Sequence, residues 1–439
     1  MDLRLSAYGR ASSRPSPVNR MMAAFAADFR DGVDINLGVG YVNEKTIPAG
    51  HIAEALQVVA GDPLKYRQAF NYGGPEGSAS LISSIRHFIS SARIGGLDEK
   101  AVDRNRLIIG PCGATSLLEG LTEVFEPGIV VTSDPMYYIY SDALERKGFE
   151  VLAVPEDAEG IDPGILARKL QALGESSRRI AFFYVVTVNN PSCTILSNAR
   201  RRALLDVAVR LSRGERRRIP IFFDLAYELL LHDPGAEPFV SVLPEDEMGV
   251  AYEIGTLSKV LAPALRIGYL LGPDGPLMDA MVQRTSDAGF SAPLFVQEMA
   301  GYLLDCHAPE QMRAVNAGYR EKAVAVRAAV DRSLGGFLAE CRGGSAGFYY
   351  YLTFKQVETH PESRLFRRLT RTTGDPAWDG PRHTLGPRVI YIPGVYCVHP
   401  HGDLAARGKR QLRLSYGFEE TPRIVEALDL MRAAIESAG

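Results

Sequence analysis

Between about Asn105 and Gly272 the chain repeats one pattern, a short unbroken apolar run followed by a longer stretch with helical spacing. The runs are "RLIIG", "GIVVTSD", "FEVLAVP", "IAFFYVVTV", "IPIFFDLA", "YEIGTLS" and "RIGYLLG"; "TSLLEGLTEVF" and "NARRRALLDVAVRL" are helical pieces between them. A strand with one wet face alternates apolar and polar residues. These runs do not, so they predict strands of a sheet buried on both faces. Helices alternating with such strands predict an α/β domain whose mostly parallel central sheet is flanked by helices. Ligands of these domains sit beyond the C-terminal ends of the strands, so the residues that follow each run are where chemistry is sought.

The rest of the chain is organised around that block. Its 439 residues, 46% of them hydrophobic, suffice for more than one domain. Residues 1–60, including "NLGVGYVNEKTIPAG", read as an irregular N-terminal arm that is part of a smaller domain. Residues 61–300 read as the large domain and 301–439 as a smaller α+β domain. In the latter a long helical stretch from about Val296 to Leu334 leads into "GGSAGFYYYLTF" and "RVIYIPGVYCV", with "TTGDPAWDGPRH" as a surface loop. A net charge of −3 with interspersed signs gives no basis for binding nucleic acid or an anionic membrane. Five dispersed cysteines, without C-x-x-C or a zinc-spaced histidine cluster, read as reduced thiols of a cytoplasmic protein and predict no metal site. The patch "MMAAFAADF" is too short and too acidic to be a signal or a span.

The strand ends carry a distinctive set of groups. After "RLIIG", the turn "PCGATS" opens a helix whose first amides, with the hydroxyls of Thr115 and Ser116, suit a phosphate; a tight turn is the plainer reading. Tyr137 and Tyr138 follow "GIVVTSD", placed either to stack on a planar ring or to pack under a helix. Asn190 lies in an Asn-Pro turn after "IAFFYVVTV". Asp224 ends an Ile/Phe run, where a carboxylate needs a cation or a capping role, and Tyr227 stands three residues on. In "TLSKVLAPALRIGY", Lys259 sits among small residues with Arg266 seven positions later. A desolvated amine near other cations has a lowered pKa and attacks carbonyls, while a guanidinium fork suits phosphate. Arg413, in "QLRLSYG", offers a second fork for a carboxylate, or is a surface arginine on an edge strand. Phosphate, planar ring, ring nitrogen needing an anion and aldehyde for a lysine describe one ligand, pyridoxal 5′-phosphate.

With "YGGPEG", "GPCGATSLLEGL", "DPMYY", "NNPSCT", "DLAYELL", "TLSKVLAPALRIGY", "GGSAGFYYYL", "YIPGVY" and "LRLSYG" in this order, the chain resembles the fold-type-I pyridoxal-phosphate enzymes of the class I/II aminotransferase family, over about Asn36 to Gly417. The resemblance implies a Schiff base on Lys259, which also moves the proton between substrate and cofactor. It implies Asp224 on the pyridine nitrogen, Tyr227 and Asn190 on the ring's phenolic oxygen, and Tyr137 stacked on the ring. It assigns the phosphate to Ala114, Thr115, Thr256, Ser258 and Arg266. Tyr72 would reach the phosphate of a neighbouring subunit, which implies a homodimer. Arg413, with Asn190 and the Gly40 loop, would hold the substrate α-carboxylate. The implied activity is transfer of an amino group between an amino acid and a 2-oxo acid.

This sequence also departs from the family's pattern. The Asn-Pro-Thr-Gly turn reads Asn190-Pro191-Ser192-Cys193, so a glycine-only backbone cannot be assumed at Cys193; Ala264 stands where glycine is common. In the arm, Gly-x-Pro is replaced by Gly40-Tyr41-Val42, and Tyr41 either projects over the pocket or packs between arm and domain. Asp287, in "SDAGFSAP", falls near the place where dicarboxylate-specific members carry an arginine; it either selects a basic substrate side chain across the dimer or is a surface or capping residue. "YGGPEG" and "YIPGVY" loosely resemble valine–pyruvate-type aminotransferases, which does not fix the substrate. Elimination, cyclisation, decarboxylation or oxidation on the same cofactor stays open. A non-catalytic regulatory role is remote, since Lys259 and Asp224 are both present and the arm is too short and insufficiently basic for a DNA-binding domain.

Overall fold

The computed structural model describes residues 3–380 and 386–437. Strand β1 (Ile35–Asn36) belongs to the arm. The large sheet comprises β2 (Arg106–Ile109), β3 (Ile129–Asp134), β4 (Glu150–Asp157), β5 (Gly160–Ile161), β6 (Ile180–Val186), β7 (Ile221–Asp224), β8 (Ala251–Thr256) and β9 (Gly268–Gly272). Their spatial order is β2-β9-β8-β7-β6-β3-β4-β5. The pairs from β8 through β4 are parallel; β9 runs antiparallel to both β2 and β8, and β5 antiparallel to β4. All seven apolar runs are therefore strands of one sheet. Its two faces are both covered, which is why the runs do not alternate: in β7, Ile221 and Phe223 join one apolar cluster and Phe222 the other.

A four-stranded antiparallel sheet forms the smaller C-terminal part, with β10 (Leu338–Gly343), β11 (Tyr349–Phe354), β13 (Ile392–Pro393) and β14 (Gln411–Ser415) in the order β10-β11-β14-β13. The remaining strand β12 (Val389–Ile390) pairs in parallel with β1 and so ties the arm to this part. The helix Leu294–Leu334 runs unbroken through residue 300, so both parts share it. No helix among the described residues is long and apolar enough to cross a membrane, and the five cysteines are free.

The arm is more helical than its turn-rich sequence suggests. Helices span Ala7–Ser12, Pro17–Ala26 and Ala49–Gly61. The missed signal was capping: the Ser6 hydroxyl accepts from the Gly9 amide, and Ser16 accepts from Asn19 with Pro17 in the first turn. In the expected loop after Thr370, Asp375 caps a short helix, Pro376–Asp379, while Pro381 to His383 lie outside the described residues.

Candidate active site

The C-terminal ends of β3, β6, β7 and β8 open on one cavity of about 290 Å³. It is lined by Gly40, Tyr41, Ala114, Thr115, Tyr137, Asn190, Asp224, Tyr227, Thr256, Ser258, Lys259, Arg266 and Arg413, thirteen of the fifteen residues considered for catalysis, the cofactor or the substrate once the family resemblance was drawn. Tyr72 and Asp287 lie elsewhere. Tyr72 is 82% exposed, its ring centroid 5.4 Å from that of Phe290. Asp287 is exposed at the end of the helix Pro276–Asp287, where Gln283 donates to it at 2.9 Å. Within one chain neither lines the cavity.

At one end, the helix Gly113–Val124 begins with no side-chain cap, so its first amides are not claimed by a hydroxyl or carboxylate of the chain. Arg266 lies against this terminus: its guanidinium donates to the Cys112 carbonyl at 3.1 Å and to the Pro263 carbonyl at 3.3 Å. Gly113 has φ +68°, and a Cβ there would lie 2.9 Å from the Arg266 guanidinium, so only glycine admits this approach. The Thr256 hydroxyl donates to Ser258 Oγ at 3.0 Å, or to the Ile267 carbonyl at 2.8 Å. Amides, two hydroxyls and a guanidinium thus meet at a helix N-terminus, a donor set that suits a phosphate dianion.

In the middle, Asp224 is buried, accepting from Tyr184 Oη at 2.7 Å and from the Ala226 amide at 3.0 Å. Burial pushes its pKa up to about 6 against the pull of those two hydrogen bonds and of Lys259. Among the described residues it makes no ion pair. A buried carboxylate left in that condition fits a cation that the chain does not supply, such as a pyridinium. Tyr137 lines the same region, and Tyr227 Oη lies 2.9 Å from Tyr349 Oη.

Lys259 Nζ donates to the Gly40 carbonyl at 3.2 Å and lies 5.6 Å from the Tyr227 ring centre. Burial, then the charges of Arg413 and Arg266, lower its pKa to about 8, with Asp224 opposing. A useful fraction of the amine is therefore neutral near pH 7–8, as a nucleophile on a carbonyl requires. Arg413 is 1% exposed in β14, an inner strand, so the edge-strand reading does not hold. It donates to Asn190 Oδ1 at 2.9 Å and to the Gly38 carbonyl, and its guanidinium stacks 4.3 Å from the Tyr349 ring centre. Its Nε is buried without a hydrogen-bond partner among the described residues. Tyr41 is 62% exposed at the cavity, edge-on to Phe418, so it both lines the pocket and packs on the small part.

Sequence reasoning passed over two of the residues that hold this site. Tyr184 lies inside a continuous apolar run, where nothing marks it as the partner of Asp224. Tyr349 was visible only as one of three consecutive tyrosines, and of the three it alone lines the cavity.

Residues 33–374 match the family described as Aminotransferase class I and II. The chain belongs to that family. Its resemblance to known sequences is distant: 26% identity to the bovine mitochondrial kynurenine/alpha-aminoadipate aminotransferase, over 79% of this chain and 83% of that protein. An uncharacterised HTH-type transcriptional regulator of Bacillus subtilis, YisV, is 24% identical over 77% of this chain, which spans only 65% of the regulator's length. The fold matches the multiple substrate aminotransferase of Thermococcus profundus with a TM-score of 0.82 at 20% identity, covering 99% of this chain and 97% of that one. Family and site geometry agree on the cofactor: pyridoxal 5′-phosphate is the group that the phosphate cradle, the buried carboxylate and the lysine fit together.

Proposed function

We propose that the protein is a pyridoxal-phosphate-dependent aminotransferase, moving an amino group between an amino acid and a 2-oxo acid. The observation that carries this reading is the placement of the Lys259 amine and the Asp224 carboxylate in one cavity, with a phosphate cradle and the Arg413 fork also lining it. Bound pyridoxal phosphate supplies an aldehyde for the lysine and a ring that accepts electrons from the substrate Cα. Asp224 would pair with the ring nitrogen and keep it protonated. Tyr227 and Asn190 hydrogen-bond the phenolic oxygen, and Tyr137 covers a ring face. Ala114, Thr115, Thr256, Ser258 and Arg266 hold the phosphate. Arg413 orients the α-carboxylate of both acids beside the Gly40 loop. Lys259 Nζ would serve as general base and acid, moving the proton of the substrate Cα.

The active form in this reading is a homodimer with shared sites. Leu64, Phe70, Tyr72 and Phe290 are all more than half exposed, an amount of surface aromatic and aliphatic area that a partner subunit covers. Tyr72 acts on the partner's phosphate, and any contact of Asp287 with a basic substrate side chain is likewise across the dimer.

Holoenzyme mixed with a single amino acid and no acceptor tests the reaction. Conversion of bound cofactor to pyridoxamine phosphate, with one equivalent of the 2-oxo acid, is expected. Release of ammonia with the cofactor unchanged would show elimination instead. In Lys259→Ala the absorbance band of lysine-bound cofactor should vanish and turnover fall by at least ~10³-fold.

A further inference from the structure

Away from this cavity, two imidazoles and a carboxylate meet where the helix Ala49–Gly61 packs on the helix Leu294–Leu334. His51 and Glu54 are three residues apart on the first helix and share a face. His307 comes from the second. Glu54 Oε2 lies 3.5 Å from His51 Nδ1 and 3.4 Å from His307 Nε2. The three atoms all lie within 4.8 Å of one another. The imidazole rings stack at 3.8 Å, and the second oxygen of Glu54 accepts from Tyr302 Oη at 2.6 Å. His307 Nε2 is buried with no hydrogen-bond partner among the described residues.

These distances discriminate between readings. Around a tetrahedral ion with metal–ligand bonds of about 2.0–2.1 Å, neighbouring ligand atoms stand about 3.3 Å apart. The two nitrogen–oxygen separations are already close to that edge, while they are long for hydrogen bonds. The rings stack nearly parallel, 19° apart, so one imidazole must turn out of the stack for both nitrogens to face a common point, and binding of an ion reorients it. The Tyr302 hydroxyl holds the carboxylate in place through the oxygen not aimed at the histidines, the usual outer partner of a ligating carboxylate. Two imidazole nitrogens and one carboxylate oxygen select a zinc-like ion; magnesium and calcium require sites built of oxygen.

We propose that His51, Glu54 and His307 bind one divalent transition-metal ion of the zinc class, with water at the fourth position. The ion clips the last helix of the arm onto the long shared helix. One turn beyond His307, Gln311 donates to the carbonyl of Thr46 at 2.7 Å and to that of Val260, next to Lys259, at 2.9 Å. The clip therefore sits one helical turn from a link between the arm and the lysine loop. The sequence reading predicted no metal site because His51 and His307 are 256 positions apart.

The test uses holoenzyme freed of metal with a chelator and dialysed against micromolar zinc, with bound metal counted per chain. Wild type is expected to take up one equivalent, undiminished by millimolar magnesium. His51→Ala and His307→Ala are each expected to weaken uptake at least tenfold while the cofactor absorbance band is unchanged. No zinc on wild type, or the equivalent retained in both variants, would overturn the proposal. Where a variant loses the cofactor band, the cobalt form of wild type decides. Visible bands without thiolate charge transfer support the site; a thiolate band assigns the metal to a cysteine and ends the proposal.

Discussion

Arg413 donates to Asn190 Oδ1 at 2.9 Å, joining an inner strand of the small sheet to the turn after β6 of the large one. The two residues are 223 positions apart in the chain. Their bond fixes the direction of a guanidinium that is almost fully buried, so a carboxylate entering the cavity meets a fork already oriented.

That orientation depends on the planar fork rather than on charge alone. Arg413→Lys keeps a cation but cannot donate to Asn190, the Gly38 carbonyl and a substrate carboxylate together. In the proposed reaction kcat/KM for amino acids should fall roughly 10²-fold or more, with the absorbance of bound cofactor retained. Steady-state kinetics with the spectrum as control check this; full activity in the lysine variant would remove Arg413 from carboxylate binding.

Tyr184 is expected to set how Asp224 titrates. Its hydroxyl donates to the carboxylate at 2.7 Å and opposes the burial that raises Asp224 to about 6. Tyr184→Phe deletes that donor, so the carboxylate becomes harder to ionise and its pKa rises further. Binding of pyridoxal phosphate to apoprotein, followed against pH, should lose affinity on the acid side at a higher pH in the variant. An unshifted acid limb would mean that Asp224 does not titrate in this range.

How much of this was legible in the sequence follows from which contacts are local. The seven strands could be read because a strand buried on both faces writes itself as an unbroken apolar run. Lys259, Asp224 and Asn190 could be placed because each ends or follows such a run, where an α/β fold puts its ligands, and Arg266 by its fixed spacing of seven from Lys259. Tyr184 could not, since it sits within a run and its role depends on the neighbouring strand: Tyr184 pairs with Phe222, two residues before Asp224. The arm helices were hidden by turn-rich composition that outweighed two serine caps. Tyr72 and Asp287 lie outside the cavity of one chain; the roles proposed for them need a second subunit, and no pattern within one chain shows where a partner's surface lies.

Asp134, at the end of β3, gives the fold a pH dependence of predictable sign. It accepts from the His399 amide at 3.2 Å, while its second oxygen is buried without a partner among the described residues. Burial pushes its pKa from 3.8 up to about 7. The folded chain then binds more protons than the unfolded chain between about pH 4 and 7, so this residue's contribution is fully present below pH 4 and lost as pH rises through 7. The total is roughly 4 kcal/mol at most. Asp134→Asn should flatten that part of the curve and raise Tm at pH 8 relative to wild type, measured by thermal unfolding at pH 5 and 8. A variant less stable than wild type at pH 8 would contradict the assignment.

The substituted turn supplies the last test. Cys193 stands where the family commonly has glycine, yet its φ is +50°, so the left-handed backbone is kept despite the side chain. Its sulfur fills space that another glycine leaves free: a Cβ built on Gly347, itself at φ +62°, would lie 2.7 Å from Cys193 Sγ. Gly347→Ala therefore meets both a steric clash and an unfavourable φ, and should destabilise by about 2–4 kcal/mol. In the double variant Cys193→Gly/Gly347→Ala the clash is gone and only the φ cost of alanine remains, about 1–2 kcal/mol. Denaturant unfolding of the four proteins measures the coupling directly. The two substitutions should be less costly together than their sum, by at least about 1 kcal/mol; strict additivity would mean that Cys193 does not fill the space beside Gly347.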